Sequence, residues 1–125
     1  MARILVVDDD QDILKLAKRV LEMEGHLVFT AVDALSAMDI LSMYPLDLLI
    51  SDANMPQYTG FELISTVRKQ PKYKDMAICM LTGLRERKDV EKAITAGADD
   101  YIVKPFSVPE LLARYPDRAV VVRPH

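Results

Sequence analysis

Four short apolar runs in this chain are each followed by side chains that suit one chemistry. Asp8, Asp9 and Asp10 follow Ile4 to Val7, Asp52 follows Leu48 to Ile50, Thr82 follows Ile78 to Leu81, and Lys104 follows Tyr101 to Val103. If these ends share one rim, several carboxylates, a hydroxyl and an ammonium stand together. Carboxylates at 4 Å repel by about 4 kcal/mol per pair at an effective dielectric near 20, so they gather best around a cation. Mg²⁺ takes one or two carboxylates, keeps several waters and binds phosphate oxygens, which suits an acidic rim in a chain with one cysteine and two histidines. Lys104 would then neutralise an incoming phosphoryl group and the Thr82 hydroxyl would bond one of its oxygens. The chemistry indicated is phosphoryl transfer assisted by Mg²⁺.

Each residue taken singly has a plainer explanation. Asp8 to Asp10 fit a loop and helix N-cap, Asp52 a turn before Pro56 and Gly60, Thr82 a local side-chain turn, and Lys104 a solvated lysine fixed by Pro105. Chance does not readily place acid, acid, hydroxyl and ammonium after four of five strands.

The elements that would position these groups alternate along the chain. The apolar runs, with a fifth at Leu27 to Ala31, are near-continuous and rich in β-branched residues, as strands buried on both faces are. Between them lie helical patterns. Ile13, Leu14, Leu16, Ala17, Val20 and Leu21 form one stripe opposite Lys15, Lys18, Arg19 and Glu22, ending at Gly25. A second helix runs from Asp33 to before Pro45; a third carries Phe61, Ile64 and Val67 and ends before Pro71; a fourth carries Val90, Ala93 and Ile94 and ends at Gly97. A fifth has Ser107 as N-cap, Pro109 in its first turn and Glu110 three residues after the cap. Fivefold alternation predicts an α/β fold, a doubly wound five-stranded parallel sheet in the flavodoxin-like order 2-1-3-4-5. That order makes the second strand an edge and the other four neighbours, with the functional crevice outside their carboxyl ends.

Composition sets outer bounds. At 125 residues, 50% apolar and 28% charged, the chain fits one domain with its own core. The net charge of −3 and the absence of a broad basic face, despite a local cluster of Arg68, Lys69, Lys72 and Lys74, argue against direct nucleic acid binding. A lone Cys79 in an apolar run reads as an inert buried thiol. No stretch reaches the ~18 apolar residues of a membrane span, and no signal-peptide pattern opens the chain, so a cytoplasmic location is expected. Neither GxGxxG nor GxxxxGK[ST] occurs.

Four stretches, ILVVDDD at 4 to 10, DLLISDANMPQYTGFEL at 47 to 63, MLTG at 80 to 83 and GADDYIVKPF at 97 to 106, resemble the response-regulator receiver domain, the CheY-like phosphoacceptor module of two-component signalling. The resemblance covers residue 3 to about 114 and implies a role for each matching position. Asp52 matches the phosphorylated aspartate, whose carboxylate attacks a phosphohistidine on a partner kinase. Asp8 and Asp9 match the pair that holds Mg²⁺ with Asp52, and Asn54 the position whose backbone carbonyl completes the metal site; Asp10 is expected at the helix entrance. Thr82 and Tyr101 match the two switch residues, although Tyr101 equally suits a partly buried surface aromatic. Lys104 matches the lysine that contacts the phosphoryl group, and Lys104-Pro105 a bond that is usually cis in the family. The implied partner is a sensor histidine kinase or phosphotransfer protein. Lys92, Asp100, Glu110 and Arg114 resemble charged positions through which receivers of winged-helix transcription factors dimerise.

Two departures stand out. Gly83 follows Thr82 where many receivers have alanine, and Tyr115-Pro116 should stop the fifth helix early, leaving a strand-like DRAVVVRPH. The expected organisation is a receiver domain over residues 1–114 with a shortened fifth helix and an atypical tail over 115–125. The tail or a second molecule is expected to cover the apolar surface so exposed. The chain reads as a stand-alone receiver or the receiver of a longer regulator. Two other functions remain to weigh: a phosphohydrolase with Asp52 as nucleophile, which Asn54 disfavours because an amide is no acid-base, and a receiver-like scaffold that is not phosphorylated, which the full set of site residues disfavours.

Overall fold

The computed structural model describes residues 1–105. Five strands, β1 (Arg3–Val7), β2 (Leu27–Ala31), β3 (Leu48–Ser51), β4 (Ala77–Thr82) and β5 (Asp100–Val103), form one parallel sheet in the order β2-β1-β3-β4-β5. Four α-helices alternate with them: α1 (Gln11–Met23), α2 (Ala34–Met43), α3 (Gly60–Arg68) and α4 (Arg87–Ala96). The expected fold class and strand order hold. The expected fifth helix, with Ser107, Pro109 and Glu110, and the tail over 115–125 lie outside the described residues.

The sheet is doubly wound because adjacent strand residues point to opposite faces. Ile4 and Val6 of β1, Leu48 and Ile50 of β3, and Cys79 and Leu81 of β4 pack with Leu14, Ala17, Val20 and Leu21 of α1. Leu5, Val7, Leu49, Ile78 and Met80 pack on the other face with Ala37 and Leu41 of α2, Phe61, Ile64 and Val67 of α3, and Ala93 of α4. Each fully buried Leu or Ile stabilises by about 1.5–3 kcal/mol relative to exposure, so these two layers hold the sheet's carboxyl ends in place.

Local signals set the helix ends. Asp10 caps α1, its carboxylate accepting from the amides of Asp12 and Ile13. Asp33 caps α2 through the amide of Ser36, which also holds its own carboxyl below the usual range. At α3, Thr59 and Glu62 form a reciprocal capping box. Leu16 and Ile94 do not join the buried stripes expected of them; they are 44% and 61% exposed. At 100° per residue Leu16 stands about 200° round α1 from Leu14, and Ile94 about 100° round α4 from buried Ala93. A short 3₁₀ turn, Pro71–Tyr73, follows α3 and was not expected from the sequence.

Arg68 departs furthest from its sequence reading. Read as one of four basic residues clustered locally, it has a side chain only 18% exposed. Its Nε donates to the Gly97 carbonyl at 3.0 Å, Nη1 to the carbonyls of Tyr73, Lys74 and Met76, and Nη2 to the Asp99 carboxylate at 2.8 Å. One guanidinium thus ties α3, the 3₁₀ turn and the α4–β5 connection at the amino end of the sheet. Gly97, at φ 123°, leaves room for it, since a Cβ there would lie 2.7 Å from the Arg68 Cγ.

Candidate functional site: an acidic rim at the strand ends

Parallel pairing puts the strand ends level. Val7 is in register with Ser51, Ser51 with Met80, and Met80 with Tyr101, so the residues beyond each emerge on one rim. Main-chain bonds continue past the strands: Asp8 N donates to the Ala31 carbonyl at 3.1 Å, Asp52 N to the Val7 carbonyl at 2.9 Å, and Lys104 N to the Thr82 carbonyl at 2.8 Å. The backbones of Asp8, Asp52, Thr82 and Lys104 are therefore fixed by the sheet itself.

The three carboxylates converge. One oxygen from each of Asp8, Asp9 and Asp52 lies within 4.8 Å of the others, with Asp8 and Asp52 buried and Asp9 exposed. Lys104 reaches the same point, its Nζ 2.5 Å from Asp8 Oδ2 and 3.7 Å from Asp52 Oδ2. Asp52 Oδ1 accepts from the Ala53 amide at 2.8 Å, and Asp8 Oδ1 from the Asp10 amide at 2.9 Å. Burial pushes the Asp8 carboxyl above its ordinary range, with the Asp52 charge adding to the rise; the bonds from Lys104 and the Asp10 amide act against it.

Among the described residues one ammonium, that of Lys104, meets the three acids, which leaves the rim short of positive charge. An oxygen-only donor set, open on the Asp9 side, fits a hard divalent ion that retains waters, and Asp8, Asp9 and Asp52 are the residues that would hold it. Asn54 stands two residues beyond Asp52 in the exposed β3–α3 loop. In the same loop Gln57 adopts the left-handed conformation, φ 70°.

Thr82 and Tyr101 flank this cluster. Thr82 is buried at the end of β4, its Oγ1 accepting weakly from the Leu84 amide at 3.4 Å. Tyr101 is half-buried, which suits either reading of it, and its hydroxyl donates to the Leu84 carbonyl at 2.8 Å. Burial, then the charges of Asp89 and Asp52, push its phenol up to about 12. The Lys104-Pro105 bond is cis, as the resemblance implied.

The four charged positions named for dimerisation are only partly described. The Lys92 ammonium lies over the Phe61 ring of α3, 4.5 Å from its centroid, and Asp100 opens β5, its Oδ1 accepting from the Tyr101 amide. Glu110 and Arg114 lie outside the described residues.

Two contributors were not legible as such. Gly60, read as a turn residue, supports Asp52 directly: a Cβ there would lie 1.8 Å from the Asp52 carbonyl oxygen, while its amide donates to the Ala53 carbonyl at 2.7 Å. Its place at the start of a helix, eight residues after the acid, was the only available signal. Arg85 donates from Nη2 to the Lys104 carbonyl at 3.1 Å, and nothing in its sequence setting marked it. Cys79 is buried as expected, its thiol directed at the Met80 carbonyl. Among the described residues no helix is long and apolar enough to cross a membrane.

Comparison with known proteins gives the chain's family and fold relatives. The family model for the response regulator receiver domain matches residues 4–115. The chain is 38% identical over 114 residues to the DNA-binding dual master transcriptional regulator RpaA of Synechocystis, covering 91% of this chain and 47% of that protein. It is 38% identical over 112 residues to the transcriptional regulatory protein PrrA of Mycobacterium tuberculosis, covering 90% of this chain and 47% of that protein. The chain thus spans about half the length of these curated relatives. Among solved structures, the chemotaxis protein CheY4 of Vibrio cholerae superposes with a TM-score of 0.87 at 37% identity, covering 90% of this chain and 94% of that one.

Proposed function

The chain belongs to the response-regulator receiver family of two-component signalling, and on that premise we propose that Asp52 is its phosphoacceptor, with Asp8 and Asp9 as its partners in holding Mg²⁺. The observation that carries this reading is the convergence of Asp8, Asp9, Asp52 and Lys104 on one rim from three strands.

An Asp52 carboxylate oxygen attacks the phosphorus of a phosphohistidine on a sensor histidine kinase or phosphotransfer protein. The P–N bond breaks, its electron pair stays on the imidazole, which takes up a proton, and an acyl phosphate forms on Asp52. Mg²⁺, when bound, screens the charge that the phosphoryl oxygens bring to the acids. Lys104 offers an ammonium to the same oxygens; it already lies close to Asp52 and needs only to turn from Asp8. Thr82, whose hydroxyl accepts a long bond from the Leu84 amide, is placed to donate to a phosphoryl oxygen.

The phosphoryl group adds roughly 1.5 to 2 negative charges and favours the loop arrangement that contacts it better. A full reversal from 1:99 to 99:1 would take about 5.5 kcal/mol, so a partial shift completed by a partner is the expected behaviour. Tyr101, bonded to the Leu84 carbonyl, would report the state of the Thr82 loop to the β5 edge. Slow loss of the phosphoryl group to water is the only other chemistry assigned, so the chain acts as a switch. Since the relatives are about twice as long, a DNA-binding output would belong to a partner segment beyond this domain.

Incubation with acetyl phosphate and Mg²⁺ followed by intact mass tests the assignment. One phosphoryl adduct is expected, lost in Asp52→Asn. An adduct that persists in the variant would move the acceptor elsewhere, and rapid continuous turnover of the donor would favour a phosphohydrolase.

A further inference from the structure

The main chain of Lys104 is held at both of its polar groups, by the last residue of β4 and by the loop that follows it. Its amide donates to the Thr82 carbonyl at 2.8 Å, and its carbonyl accepts from Arg85 Nη2 at 3.1 Å. Between these anchors the Tyr101 hydroxyl donates to the Leu84 carbonyl at 2.8 Å. Residues 82, 84 and 85 each therefore hold the end of β5 by one bond.

Lysine's four-carbon stem has many rotamers, and where its ammonium dwells depends on where its Cα is fixed. The Thr82 carbonyl anchor belongs to the sheet's own pairing. The Arg85 anchor is a side chain, on an exposed residue, reaching across from one loop to the other.

Resting on the assignment of Asp52 as phosphoacceptor, the geometry points to Arg85 as a positioning residue that couples the Thr82 loop to Lys104. By holding the Lys104 carbonyl it keeps the ammonium over Asp8 and Asp52, and a shift of the loop that brings Thr82 to the phosphoryl group carries Lys104 with it. Arg85 itself touches none of the acids in this role; it acts through Lys104.

The test is Arg85→Ala in the whole chain with acetyl phosphate and Mg²⁺, measuring phosphoryl transfer over a range of donor concentrations, with the Lys104 side-chain resonance followed by NMR and identified by its loss in Lys104→Ala. The expected result is a saturating rate lower by about tenfold, the scale of one charge-assisted hydrogen bond, with the half-saturating donor concentration unchanged and the Lys104 resonance displaced. An unchanged saturating rate overturns the proposal. So does a loss confined to the half-saturating concentration, which would mean that Arg85 merely attracts the anionic donor, or a slower rate with an unmoved Lys104 resonance. Absence of any Asp52-dependent adduct in the unmodified chain would remove the phosphoacceptor reading, and this proposal with it; a normal adduct with an indifferent Arg85→Ala would remove this proposal alone.

Discussion

Gly60 lies against the backbone of Asp52 so closely that a methyl group on it would stand 1.8 Å from the Asp52 carbonyl oxygen and 2.8 Å from the carbonyl carbon. Neither atom belongs to a flexible side chain, so accommodation requires the main chain of the acceptor or the start of α3 to move. Gly60→Ala is expected to destabilise by about 2–4 kcal/mol through this overlap. Among molecules still folded, the rate of Asp52 phosphorylation should fall. Urea unfolding and intact mass read the two effects separately, and an alanine variant as stable and as reactive as the parent would refute the steric argument.

Asp8 and the metal make a second prediction. Burial raises the Asp8 carboxyl, so the folded protein holds the proton more tightly than the unfolded chain does. The stability from this group is fully present below the ordinary aspartate value of 3.8 and is lost as pH rises through the raised folded value. Without Mg²⁺ at neutral pH, Asp8→Asn should therefore melt no lower than the parent, and the difference should close in acid. Added Mg²⁺ should reverse the order: at 100 times its Kd it would stabilise the parent by about 2.7 kcal/mol and Asp8→Asn far less. Thermal melts with and without Mg²⁺ decide the matter.

The contrast between Asp8 and Arg85 shows what the sequence makes legible. The alternation of apolar runs and helical stripes was enough to order the strands, because parallel strands leave period and burial marks in the residues themselves. Acids, hydroxyl and ammonium at the strand ends were legible for the same reason: topology brings carboxyl ends together whatever the loops do. Close approaches and side-chain reaches leave no such mark. Gly60 looks like any turn glycine until the Asp52 carbonyl is placed beside it, Arg68 looks like surface charge until five acceptors close round it, and Leu16 joins an apolar stripe on paper that the helix angle denies it.

Tyr101 carries a pH prediction. Its phenol is pushed from 10.0 up to about 12, chiefly by burial and then by the charges of Asp89 and Asp52. At neutral pH it is protonated and donates to the Leu84 carbonyl. A raised folded value means that its share of stability is complete below pH 10 and disappears as pH climbs through about 12. Ultraviolet titration of tyrosinate should therefore lose a component near 12 in Tyr101→Phe, and alkaline unfolding between those limits should be shallower in the variant. A titration curve that loses instead a component near 10 would contradict the buried, hydrogen-bonded placement.

Arg68 offers the last test, because it is important to the fold yet remote from the chemistry. Its guanidinium reaches Gly97, Tyr73, Lys74, Met76 and Asp99 near the amino ends of β4 and β5, whereas Asp52, Thr82 and Lys104 stand at the carboxyl ends. Removing it leaves several carbonyls and the Asp99 carboxylate without that donor, and Arg68→Ala is expected to cost about 3 kcal/mol. Arg68→Lys should restore little of this, since a single ammonium cannot span acceptors arranged around a planar fork. Because distant sites at opposite ends of the sheet behave independently, the fraction of either variant that remains folded should take up the phosphoryl group at the parental rate. Denaturant unfolding paired with phosphorylation under fully folding conditions separates these expectations. A slowed transfer in the folded fraction would show that the two ends of the sheet are coupled.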